Sequence, residues 1–194
     1  METKIFIGVI ASILSAIGYI PYIWNAHKGK TTPHLYSWIV WTLLNTIIFI
    51  LLVLEGAGAG AWPIGMTSVA FGFNLYYATK ARSRSRIQRG DLSLLVAALA
   101  IIPIWLLTTN ITAIILVTLI EFLGFVPTFR KTYEFPFEET LIAYVVAGTK
   151  YVLVLFALDS YNFELLLNPI MWLVLNVSFI AFALSLRQKH ARAT

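Results

Sequence analysis

Apolar positions along this chain fall into seven long runs, parted by short polar or basic turns. They cover Ile5–Trp24, Leu35–Leu54, Trp62–Thr79, Leu92–Thr109, Ile111–Phe129, Leu141–Leu158 and Leu165–Leu186. Each is roughly 18–22 residues, the length an α-helix needs to cross a hydrocarbon layer about 30 Å thick. The turns between them leave no room for a sizeable soluble domain. The pattern predicts an all-α membrane protein with seven transmembrane helices. The first run starts almost at once, as a signal peptide would, but it has only Lys4 as a basic flank and no small-x-small cleavage site behind it. It continues into Pro21, and so reads as a retained helix.

The first and fifth runs share a feature near their ends: Gly18-Tyr19-Ile20-Pro21 and Gly124-Phe125-Val126-Pro127. After each comes a basic turn, a second proline (Pro33, Pro136), and a hydroxyl residue four positions later (Ser37, Thr140). The repeat describes two three-helix units. Three helices reverse the chain's direction, so a single extra helix is needed for both units to face the same way. Leu92–Thr109, which carries no ionisable residue, fits that linker. The expected organisation is a first three-helix repeat over 1–83, a basic loop and linker helix over 84–110, a second repeat over 111–187, and a basic tail over 188–194.

Composition agrees with lipid as the solvent. Hydrophobic residues are 59% of the 194, charged residues 12%, and the mean hydropathy is +0.82, more apolar surface than a water-soluble domain of this size can hide. Charge adds orientation. Twelve of the fourteen Lys and Arg lie at Lys28 and Lys30, Lys80–Arg89, Arg130 and Lys131, and Arg187–Arg192, all on one side if there are seven spans. The positive-inside rule then puts the C-terminus in the cytoplasm and the N-terminus outside. Minimal loops fit a prokaryotic inner membrane. The Arg82–Arg86 run has the composition of a nucleic-acid-binding stretch, but topology and anionic headgroups account for it without nucleic acid.

Pro21, Pro127 and the turns behind them, including Lys30-Thr31 and Glu138-Glu139-Thr140, resemble the PQ-loop superfamily, in particular the seven-helix SWEET-type transporters with a 3+1+3 arrangement. Where that family usually places glutamine after the proline, this chain has Tyr22 and Thr128. The resemblance implies two parallel three-helix bundles that move a small polar solute, such as a sugar, by alternating access. It also implies that an asparagine on each of the third and seventh helices lines the site, and that the prolines serve gating.

Several residues are candidates in their own right. Asn74 and Asn176 lie two-thirds of the way through the third and seventh runs, 102 positions apart against 106 for the prolines. A buried amide needs a partner, so each reads as interhelical glue or as a contact for a polar solute. Asn45, whose aligned position is Gly148, is a further site candidate. Pro21 and Pro127 each remove a backbone hydrogen bond, giving a fixed kink or a hinge. Glu121 and Lys150 fall near mid-depth, where a charge costs about 2.5–3.5 kcal/mol on insertion scales. The economical account is an ion pair between them; a solute-contacting or proton-carrying role is the alternative. Trp41 is a candidate stacking surface, Trp38 less so, while Trp24, Trp62, Trp105 and Trp172 read as interfacial belt or packing. Gly56–Ala61 reads as a flexible outer turn, with Pro63 in the first turn of the third helix.

Absent signatures narrow the function. Lacking cysteine, the chain has no disulfide, thiolate metal site or cysteine nucleophile. No phosphate-binding Gly-rich loop with lysine occurs, and His27, His34 and His190 have no zinc spacing. An enzyme is not expected, nor a cofactor or a metal. The expected partners are the bilayer and a small polar solute; self-association into a homo-oligomer stays open. Two rivals remain: a receptor on the same scaffold that binds without flux, and a vitamin or nucleoside-like uptake carrier. The orientation is testable, since a reporter fused after Thr194 should be active only if that reporter functions in the cytoplasm; activity of a periplasm-dependent reporter there would reverse it.

Overall fold

A backbone in hydrocarbon must satisfy its own hydrogen bonds, and a chain this apolar does so by becoming helix almost throughout. The computed structural model describes residues 1–29, 35–80, 89–134, 136–137 and 141–193. It contains α1 (Glu2–His27), α2 (Leu35–Leu54), a short 3-10 helix (Gly58–Ala61), α3 (Trp62–Lys80), α4 (Arg89–Leu107), α5 (Asn110–Glu134), α6 (Leu141–Ala157) and α7 (Phe163–Ala193). No strand occurs among the described residues. Lys30-Thr31, Pro33, His34, Arg82–Arg86, Glu138-Glu139-Thr140 and Thr194, which figured in the sequence reading, lie outside them.

Helix ends follow local chemistry. α2 stops because Gly56 takes a left-handed φ of 76°, letting Ala57 N–H reach Leu52 O (2.9 Å) and Gly56 N–H reach Val53 O (3.1 Å), the paired bonds of a Schellman stop. α7 starts where the Asn162 side-chain oxygen accepts Leu165 N–H at 2.9 Å, an N-cap bond. α6 ends at a cation: Lys4 Nζ donates to Leu158 O at 2.7 Å, where the helix dipole is negative. Helices α1, α5 and α7 outrun the apolar runs that predicted them, and the basic tail from 188 onward continues α7 to Ala193.

Among the described residues, three helical stretches, Glu2–His27, Leu35–Leu54 and Phe163–Ala191, are long and apolar enough to cross a membrane; Leu95–Leu107, Asn110–Val126 and Leu141–Ala157 are shorter apolar helices. Their outward faces carry large apolar side chains, among them Phe6, Ile13, Leu106, Leu107 and Val174, as expected of a bundle wrapped by lipid rather than water.

The packing order is not the chain order. α3 sits against both α1 and α2, and α7 against both α5 and α6; α1 also meets α6, and α5 meets α2. Exchanging α1 with α5, α2 with α6 and α3 with α7 leaves this set of neighbours unchanged. α4 stands apart from the exchange and packs on α2 and α5. The recurring glycines lie at the two crossings that join one set to the other. A Cβ on Gly18 would meet Val146 of α6 at 3.8 Å, and one on Gly124 would meet the Trp41 ring of α2 at 3.3 Å.

The segment expected to be a flexible outer turn is instead interior. Ala57, Ala59, Gly60 and Ala61 are buried, and the 3-10 helix is wedged against α1 and α6. Small side chains permit the approach: a Cβ on Gly8 would stand 2.7 Å from Ala59 O. Gly8→Ala should therefore destabilise the fold by roughly 1–3 kcal/mol through overpacking. Gly72, with nothing within 4 Å of such a Cβ, is the control, and Gly72→Ala should be neutral or stabilising by up to about 1 kcal/mol. Thermal unfolding in detergent separates the two, and equal midpoints would contradict the wedge.

Candidate functional site

Glu121 is fully buried, eleven residues into α5, so about 16 Å along the helix axis and far from either end. A carboxylate there must find donors inside the protein. It has three. Asn168 Nδ2 and Trp172 Nε1, both on α7, donate to Oε2 at 2.7 and 2.9 Å. Asn45 Nδ2 on α2 reaches Oε1 at 3.5 Å. Asn168 also donates to Thr118 Oγ1 on α5 at 3.3 Å. One side chain thus ties α2, α5 and α7 together, and all three donors suit the acceptor-only form of the carboxyl.

Lys150 is buried in α6, with only 4% of its surface exposed. The expected ion pair with Glu121 is not formed: no carboxylate lies within 4 Å of the Lys150 amine among the described residues. The reason is local. The Glu121 oxygens are occupied by α2 and α7 donors. Lys150 Nζ turns to Thr67 Oγ1 on α3 at 3.4 Å and to the Tyr151 ring, 4.1 Å from its centroid. Contacts still join the two charges, because Tyr151 and Trp172 stack with planes 4° apart and centroids at 6.0 Å. Trp41 completes the aromatic lining, 6.1 Å from Trp172.

The two asparagines are both interior, in different states. Asn176 donates to Trp172 O on its own helix at 2.7 Å. Its side chain stands over Gly148, where a Cβ would lie 3.6 Å away. Asn74 is fully buried and neither its amide nitrogen nor its oxygen has a hydrogen-bond partner among the described residues. The two do not bond each other. α1 runs unbroken through Pro21, which is on an exposed face. Pro127 falls within α5, its side chain outside the described set. Trp38 packs away from Glu121, on Tyr22 and Phe71 at 5.2 and 5.3 Å.

Sequence reasoning passed over Asn168, Thr67, Thr118 and Tyr151, and took Trp172 for belt or packing. One signal was available: Asn168, Trp172 and Asn176 are spaced i, i+4, i+8 and so share a face of α7. Pro169, buried between the first two, is another helix-interior proline beside the site. An open cleft of about 480 Å3 at the Lys4 end, lined by residues such as Val53, Gly58, Trp62 and Asp159, shares no residue with this cluster. No group of three metal-ligating side chains occurs among the described residues. Comparison of the chain with protein families, curated proteins and solved structures gives no match.

Removing one donor from the buried carboxylate should be costly. Trp172→Phe keeps the ring but loses the N–H, and should lower stability by about 1.5–3 kcal/mol. In a Glu121→Leu background the same change should cost much less, because the acceptor is gone. Additive effects in this cycle, read by unfolding in detergent, would show that the 2.9 Å contact carries no energy.

Proposed function

We propose that this chain is a seven-span membrane carrier, built of two parallel three-helix bundles and a linker helix in the PQ-loop and SWEET manner, that moves a small polar solute of about sugar size by alternating access. One observation supports this above the others. Buried polar groups gather where the two sets of helices meet, with Asn45 and Thr67 from α2 and α3 and Glu121, Lys150, Asn168 and Trp172 from α5, α6 and α7, and the buried Asn74 lies two turns along α3 from Thr67. A structural core gains nothing from two separate buried charges and an unbonded amide; a site that exchanges water for solute does. The exchangeable neighbour pattern supports rocking of one bundle against the other about this seam, with α4 as the linker. In this reading Asn74, Asn45 and Trp41 touch solute, Asn176 shapes the wall, and Pro21 and Pro127 allow bending. The basic turns keep the C-terminus cytoplasmic.

Asn74 gives the sharpest test. It makes no internal hydrogen bond, so Asn74→Leu should leave the unfolding midpoint unchanged or higher while lowering flux at least roughly tenfold. The measurement is uptake of a panel of labelled sugars, nucleosides and amino acids into proteoliposomes. Flux unaltered by Asn74→Leu would remove Asn74 from the site. Saturable binding with no flux of any member would make the protein a receptor on this scaffold instead.

A further inference from the structure

The two buried charges differ in how well they are served. Glu121 has its Oε2 filled by donors at 2.7 and 2.9 Å, and only Oε1, with Asn45 at 3.5 Å, has acceptor capacity to spare. The ammonium of Lys150 carries three donors, yet the described residues give it one long bond to Thr67 and the face of Tyr151. Asn74 lies seven residues beyond Thr67, two turns along the same face of α3, and its amide is unbonded. Spare donors therefore collect on the Lys150 side and a spare acceptor on the Glu121 side. Between the two runs a chain of aromatic contacts, Tyr151 to Trp172 to Trp41.

A ligand for this buried cluster must balance its charges. An anion alone would neutralise Lys150 and leave Glu121 unopposed at mid-depth; a cation alone would do the reverse. A neutral polyol would leave both ions facing hydroxyls. A molecule with a carboxylate at one end and an ammonium at the other opposes both, and aromatic faces stabilise the cationic end further.

We propose that this buried cluster is a binding site for a small zwitterion: the carboxylate on Lys150, Thr67 and Asn74, the ammonium beside Glu121 Oε1 and the faces of Trp41 and Trp172. This assigns a substrate class to the carrier site proposed above and rests on that reading for its role in flux. The test is thermal unfolding of the detergent-purified full chain with glycine, proline, phenylalanine or glycine betaine, against acetate, choline and glucose. At least one zwitterion should raise the midpoint in a saturable way, and the single-charge compounds should act only at much higher concentration. Lys150→Met should raise the half-saturating concentration of that zwitterion roughly tenfold or more, and Lys150→Arg should recover part of the loss. Without ligand, Lys150→Met should still unfold cooperatively, so that the change in half-saturation is read on folded protein. No response to any of the four zwitterions, an equal response to glucose, or an unchanged response in Lys150→Met would each overturn the assignment. Glucose flux without zwitterion binding would leave the carrier standing and remove the zwitterion. Zwitterion binding without flux would do the opposite.

Discussion

A carboxyl group buried at the centre of an apolar helical bundle sets the terms for the rest of this molecule. Glu121 is fully buried and is solvated by protein N–H groups, which come from α2 and α7. Each donor fixes a helix at a distance and a rotation. Lipid gives apolar side chains little reason to prefer one neighbour over another, so polar contacts of this kind specify the arrangement that hydrophobicity leaves open. The aromatic and hydroxyl groups that surround Lys150 follow from the same placement.

Small residues let the polar groups meet. Gly124 lets α5 close on the Trp41 ring of α2, while Gly18 and Gly148 lie in ordinary contact with Val146 and Asn176. The two crossings are alike in the backbone and unlike in chemistry: the buried Glu121 and Lys150 lie on α5 and α6, and the matching helices α1 and α2 bury the uncharged Ser15, Asn45 and the Thr42 hydroxyl. Geometry has been kept on both sides while chemistry has concentrated on one.

Much of this was readable from hydropathy because the membrane imposes a coarse, length-based rule. All seven runs became helices, with ends displaced where charged residues remain helical beyond the apolar layer, as at Glu134 and Ala193. Interior placement of Asn45, Asn74, Glu121, Lys150 and Asn176 was legible for the same reason: polar atoms have nowhere else to go. Partners were not. Which donor reaches Glu121 depends on helix rotation: of the two readings open for Glu121 and Lys150, the direct ion pair is absent within 4 Å, and the carboxyl oxygens are met by neutral donors instead. Gly56–Ala61 was misread because small residues signal loose turns and tight packing alike. Asn168 was overlooked although its helical spacing to Asn176 was in plain view.

The bond from Lys4 to Leu158 spans 154 positions of sequence. It has a consequence for how the molecule is made. A chain inserted from its N-terminus holds α1 and α2 in the bilayer long before α6 and α7 are synthesised. During that interval Lys4 has no helix end to cap and Asn45 has no carboxylate. The first helices therefore gain these polar partners only once the later ones are made.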